Sequence, residues 1–178
     1  NAIGEKNEMV GSLEELASAA PDYVVVALPT IFHSEAAIFL ASRRIPTLLE
    51  KPVAPSQTES ESIALAFSEA ETICAVGHVE RFNPSLSALR QKIAEGVIGK
   101  PLQISTRRVG PFPSRVNDVG VILDLASHDI DLVGWITGQD YKSLSSHTAS
   151  PLPGHHEDMF LAIGELMDST LVSHEVNW

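Results

Sequence analysis

Lys51 stands between Glu50 and Pro52 at the end of a short apolar run, TLLEKP (residues 47–52), a setting that suits acid–base chemistry. If residues 47–49 form a buried strand, its carboxyl end faces the ligand crevice of an open α/β sheet. A lysine there, partly desolvated, holds a lowered pKa and hydrogen-bonds a reacting oxygen. Pro52 fixes the turn and favours an extended Lys51. The competing reading is a surface Glu–Lys pair in a loop.

Asp124 and His128 are four residues apart in a stretch that reads as a helix, so they share a face. A carboxylate beside an imidazole orients the ring and raises its pKa, as a general base needs. Ile122, Leu123 and Leu125 around them are apolar, so this is not simply a solvated face. A structural Asp–His pair is the alternative, and Asp129 and Asp131 suit a cap or an ion pair. A third cluster is basic: Arg107, Arg108 and Arg115 bracket the proline-rich loop 110–114, and the segment GHVERFNP (residues 77–84) follows another apolar run. Three arginines around one loop can grip a phosphate or carboxylate bidentately. Equally, they can pair with Glu80, Asp118 or Asp129.

Other chemistries fit less well. The run His155-His156-Glu157-Asp158 gathers metal donors, but neighbouring histidines on a strand point to opposite faces. No HExxH or CxxC spacing occurs, so zinc is not expected. There is no GxSxG elbow for a serine hydrolase. Cys74, inside an apolar run, reads as inert packing.

The elements that must position these residues fall into two groups. Residues 12–20 form an expected helix with Ser12 as cap and Glu15 completing a capping box, followed by a continuous apolar run at 23–28. Such a run is the mark of a strand buried on both faces of a parallel sheet. Helices at 34–43 and 56–71 alternate with strands at 47–49 and 73–76, which calls for a parallel α/β sheet. After Gly77 the rhythm changes: a helix at 84–95, a strand at 102–109, a helix at 121–136 and strand-like stretches at 143–149, 159–166 and 170–176. That order predicts an α+β domain with a mostly antiparallel sheet. The expected division is 1–80 and 81–178.

With 178 residues, 44% hydrophobic and 20% charged, the chain has globular composition. Twelve basic against 23 acidic residues leave a net charge of −11, which argues against nucleic acid as a partner. No apolar run nears the roughly 20 residues of a membrane helix, so no membrane partner is expected either. One cysteine and no basic-then-apolar leader fit a cytoplasmic protein.

In combination, four segments resemble one family, the glucose–fructose oxidoreductase, inositol dehydrogenase and rhizopine-catabolism (Gfo/Idh/MocA) dehydrogenases. PDYVVVALPTIFHSEAA (residues 21–37) resembles its strand-then-PTxxH segment, and LLEKPVA (48–54) its Glu-Lys-Pro hallmark. VGHVERFNP (76–84) resembles its domain-junction motif and DVGVILDLASHDIDL (118–132) its Asp-x-x-x-His helix. RRVGPFPSRVNDVG (107–120) is most similar to the branch of UDP-N-acetylglucosamine 3-dehydrogenases.

The resemblance implies a dinucleotide-binding domain, a substrate domain whose open sheet joins copies into a homo-oligomer, and hydride transfer between a sugar or nucleotide-sugar carbon and NAD or NADP. It assigns the reacting hydroxyl to Lys51, its proton to His128, and the orientation of His128 to Asp124. Pro29, Thr30, His33, Glu50 and Lys51 would line the cofactor side, and Arg81, Asn83, Arg108 and Arg115 the substrate side. No metal is implied. Two departures stand out: Ala126 replaces the glycine usual in the Asp-x-Gly-x-His helix, and no GxGxxG loop precedes the first strand. The chain therefore reads as a fragment of a longer parent, and a non-catalytic binding or oligomerisation module is the second reading.

Overall fold

The computed structural model describes residues 9–111, 119–151 and 156–178. The chain divides into two units, Asn1–Gly77 and His78–Trp178.

In the first unit, α1 (Leu13–Ser18) begins as a reciprocal cap. The Ser12 hydroxyl accepts from the Glu15 amide at 3.2 Å, and the Glu15 carboxylate accepts from the Gly11 amide at 2.7 Å. Then β1 (Val24–Val26), α2 (His33–Ser42), β2 (Thr47–Leu49), α3 (Gln57–Glu69) and β3 (Cys74–Val76) alternate. The strands are parallel in the order β1-β2-β3, with Val25, Leu48 and Ala75 in register. Val26 and Leu49 pack with Leu40 of α2 and Ile63 and Phe67 of α3 into one core. The expected burial on both faces is not what the strands show. Val25 is 50% exposed, and Tyr23, Leu48 and Ile73 are exposed with it. The reason lies in the layers: α2 and α3 share a single cluster with alternate strand residues, so among the described residues one face alone is covered. Cys74 is half-buried in β3, and burial pushes its thiol up.

The second unit opens with a tight turn, Val79–Phe82, and α4 (Pro84–Ala94). Asn83 caps α4, its side chain accepting from the Ser85 amide at 3.0 Å, and Pro84 occupies the first helical position, where no amide partner is lost. β4 (Gln103–Val109) follows. The helix expected at 121–136 is real but not uniform: a π-helical segment, Ile122–Ala126, runs into α5 (Ser127–Thr137), and left-handed Gly138 stops it. β5 (Tyr141–Ala149), β6 (Met159–Leu166) and β7 (Leu171–Asn177) complete a sheet of order β4-β7-β6-β5. β4 and β7 run parallel and the other two pairings antiparallel, giving the mixed sheet the spacing predicts. Phe160, Ala162 and Val176 pack against Val121 and Ala126, and Val172 and Leu166 against Val133. The opposite face leaves Leu161, Ile163 and Leu171 exposed. Among the described residues, no helix is long and apolar enough to cross a membrane.

Candidate active-site elements

The carboxyl ends of the first unit's strands carry the first set of candidates. The Glu50 amide donates to the Val26 carbonyl at 3.0 Å, and the Gly77 amide to the Leu49 carbonyl at 2.8 Å, so both lie at the last rungs of the parallel ladder. Glu50 and Lys51 therefore leave β2 just where the sheet ends. The Glu50 carboxylate lies against Gly77, where a Cβ would stand 3.2 Å from its atoms and push it by a few tenths of an ångström. The Lys51 amide donates to Glu50 Oε2 at 3.3 Å, and the Lys51–Pro52 peptide is cis. Pro29 is exposed and Thr30 buried in the turn Thr30–Phe32 that leaves β1.

His33, expected on the cofactor side, lies beneath the surface of that end of the sheet. It is 1% exposed, and its Nδ1 and Nε2 each lie 2.9 Å from a backbone carbonyl, those of Pro52 and Leu28. The ring thus lies between the loops that follow β1 and β2, donating to one of the two carbonyls in its neutral form.

The second unit positions Asp124 and His128 on one continuous helical run. Its start is held by Glu157, whose carbonyl accepts from the Val121 amide and whose Oε1 accepts from the Ile122 amide, both at 3.0 Å. A carboxylate at a helix amino end meets the positive end of the dipole. Gly120 makes room for it: a Cβ there would come within 2.2 Å of that carboxylate. Asp124 is buried in the π segment, its amide donating to the Gly120 carbonyl at 3.0 Å, and His128 lies in the first turn of α5. π segments are frequent at functional sites because the extra residue re-aims side chains.

The arginines expected to hold substrate have carboxylate partners. Arg81 grips Asp131 through Nε at 2.9 Å and Nη2 at 2.5 Å, with His78 Nδ1 at 3.4 Å from the same carboxylate. Arg108 donates to Asp129 at 2.9 and 3.2 Å and reaches Glu80 at 3.4 Å. Burial works against the Arg108 charge, but Asp129 and Glu80 more than offset it and hold the guanidinium protonated. Arg107 pairs with Glu175 at 3.0 Å. Arg108 thus makes the pairs with Glu80 and Asp129 that its sequence allows, Arg81 pairs with Asp131, and Asn83 serves as a helix cap. Arg115 and Asp118, like His155, lie outside the described residues. Among the described residues no group of acids, histidines and cysteines could hold a metal ion.

A buried polar chain behind α5 was not anticipated. His174 of β7 has Nδ1 2.7 Å from Thr106 Oγ1 and Nε2 2.9 Å from the Tyr141 hydroxyl. Burial pushes the His174 imidazole below its ordinary value, with Asp129 pulling the other way, and burial followed by Asp129 pushes the Tyr141 phenol up. The sequence held the signal: in LVSHEVN, His174 shares the inward period-two face with Val172 and Val176.

Residues 4–78 match the model of an oxidoreductase family with an NAD-binding Rossmann fold, and residues 86–178 match the GFO/IDH/MocA C-terminal domain. The chain belongs to the Gfo/Idh/MocA oxidoreductase family. This Gfo/Idh/MocA chain is 30% identical over 138 residues to scyllo-inositol 2-dehydrogenase (NAD(+)) of Bacillus subtilis, covering 75% of the chain and 40% of that protein. It is 31% identical over 122 residues to UDP-N-acetylglucosamine 3-dehydrogenase of Acidithiobacillus ferrooxidans, covering 68% of the chain and 38% of that protein. A solved structure of that same enzyme superposes with a TM-score of 0.83 at 26% identity, over 96% of this chain and 55% of the other. The chain thus spans roughly half, or less, of the length of the relatives it matches.

Proposed function

We propose that this chain is the part of an NAD(P)-dependent dehydrogenase that activates a sugar or nucleotide-sugar hydroxyl. The observation that carries the reading is one of placement inside each unit. Lys51 leaves β2 at the carboxyl end of a parallel sheet, the ligand-facing end of such sheets. Asp124 and His128 share one helical run whose start is pinned by Glu157. The family membership supports reading these positions as parts of one reaction.

In this reading Lys51 hydrogen-bonds the reacting hydroxyl, the His128 ring accepts its proton, and Asp124 orients the ring. Glu50, Pro29 and Thr30 suit the sugar and amide groups of a dinucleotide: a carboxylate and a hydroxyl are hydrogen-bonding partners for ribose, and the bare Gly77 backbone leaves the Glu50 carboxylate in place. When bound, the dinucleotide supplies the hydride acceptor. The relative named for NAD(+) supports a nicotinamide cofactor, and the likeness to UDP-N-acetylglucosamine 3-dehydrogenase supports a nucleotide sugar as substrate.

Calorimetric titration with NADH, alone and with UDP-N-acetylglucosamine present, tests binding. Micromolar affinity supports the reading, and no heat with either ligand overturns it for this chain. In a protein that turns over, Lys51→Ala and His128→Ala each lower kcat by about 100-fold or more, the range of a lost proton-transfer group. Wild-type rates in either variant remove that residue from the chemistry.

A second reading, an assembly module without catalysis, draws on the two uncovered apolar sheet faces. Both readings share one consequence: copies associate through those faces.

A further inference from the structure

A buried side chain joins the segments that leave β1 and β2 beyond the end of the sheet. Each strand is three residues long, and the last rung between the pair is the Glu50 amide on the Val26 carbonyl. Past that rung, Leu28 leads into Pro29 and Thr30, while Lys51 leads into Pro52. His33, the first residue of α2, sits beneath both, with Nε2 2.9 Å from the Leu28 carbonyl and Nδ1 2.9 Å from the Pro52 carbonyl. Carbonyl oxygens only accept, and buried ones need a donor. An imidazole 1% exposed at that spot has no partner in solvent, and its neutral form, with one N–H, donates to one of these two carbonyls.

We propose that His33 is a positioning residue for Lys51: by donating its Nδ1–H to the Pro52 carbonyl it fixes the turn from which the Lys51 side chain projects. The inference rests on the reading of Lys51 as the group that binds the reacting hydroxyl. The Pro52 contact carries the effect, because Pro52 is the neighbour of Lys51, whereas the Leu28 carbonyl lies 2.9 Å from the other ring nitrogen.

The two arms are separable by substitution. The amide nitrogen of asparagine falls near the histidine Nδ1 position and that of glutamine near Nε2. His33→Asn thus keeps a donor toward Pro52, His33→Gln keeps one toward Leu28, and His33→Leu keeps neither. The readout is hydrogen exchange of the Glu50 and Lys51 amides, together with the rate at which an amine reagent acylates Lys51 relative to Lys92 and Lys142. Both rates rise about fivefold in His33→Gln and His33→Leu, the factor expected for one lost hydrogen bond, and stay within about twofold of wild type in His33→Asn.

Equal rates in all variants overturn the proposal. So does a uniform rise across α3 and the strands, which marks a merely structural histidine. If the variants do not fold, the unmutated chain decides by its histidine proton–nitrogen spectrum. A slowly exchanging N–H on Nδ1 of His33 supports the bridge, and a proton on Nε2 alone, or a ring exchanging at the solvent rate, refutes it. These readouts need no cofactor, so failure of NADH to bind would count against the proposed function and leave the bridge standing.

Discussion

At the scale of single residues, burial lowers the pKa of two histidines in the second unit. His174 is held between Thr106 and Tyr141 and loses solvation, and burial likewise lowers His78 despite the Asp131 carboxylate beside it. A histidine whose folded pKa is lowered binds fewer protons in the fold than in the unfolded chain. By linkage, stability then rises with pH across the window from that lowered value up to the unfolded value of about 6.5. Unfolding midpoints therefore fall as pH drops below about 6.5, and His174→Phe flattens that slope while lowering stability at neutral pH. The neutral-pH loss is about 1–3 kcal/mol, since Thr106 loses its ring partner and the Tyr141 hydroxyl keeps only its 3.5 Å bond to the Ile130 carbonyl. Thermal melts of both proteins at several pH values check the sign, and an unchanged slope in the variant removes His174 as the group responsible. The chemistry at this scale was partly legible. Lys51, Asp124 and His128 stand in readable motifs, but the partners of Arg81 and Arg108 come from segments 20 to 50 residues away, which no local pattern reveals.

Among the elements, the run from Gly120 into α5 is the one whose detail the sequence hides. Helical periodicity at 121–136 is plain, yet the π segment within it follows from no local propensity, because its residues, ILDLA, are ordinary helix formers. What fixes the run lies outside it: Glu157 at its start, and Arg81 on Asp131 one turn beyond His128. A double-mutant cycle of Arg81→Ala and Asp131→Ala should give a coupling of roughly 1–3 kcal/mol in stability, as for hydrogen-bonded charge pairs that are partly buried. Additive effects would reduce this clamp to a surface pair. Two glycines give a sharper contrast. At Gly120 an added Cβ meets the tip of Glu157, which can swing away at the cost of one amide partner. At Gly164 it comes within 2.4 Å of the Ser143 carbonyl oxygen, part of the paired β5 backbone, which cannot move without opening β5 from β6. Gly164→Ala is thus the more destabilising of the two, by about 1 kcal/mol or more, and chemical denaturation of both variants orders them.

For the whole molecule, the decisive fact is how much apolar strand surface stays in contact with water. The YVVVAL run reads as a doubly covered parallel strand, and the sequence cannot show that α2 and α3 sit on one face only, because that depends on which layers the rest of a fold provides. Val25, Leu48 and Ile73 are exposed on one sheet, and Leu161, Ile163 and Leu171 on the other. Burying such a patch is favourable by about 25 cal/mol per Å² of apolar area, before the cost of ordering two partners is met. Opposing it is a net charge of −11 on every copy. That repulsion acts over about 10 Å at 0.1 M salt and about 3 Å at 1 M, whereas the hydrophobic gain does not weaken with salt. Association should therefore tighten as sodium chloride rises from 0.1 to about 1 M, the opposite of an interface built on ion pairs. At micromolar concentration the chain should sediment as a species larger than its 19.2 kDa mass. Ile163→Glu, at a position 70% exposed that barely affects the fold, should shift it toward the monomer if the mixed sheet is the contact, and Val25→Glu if the parallel one is. A monomer at every salt concentration would show that neither face mediates assembly, and a shift in one variant alone names the sheet that does.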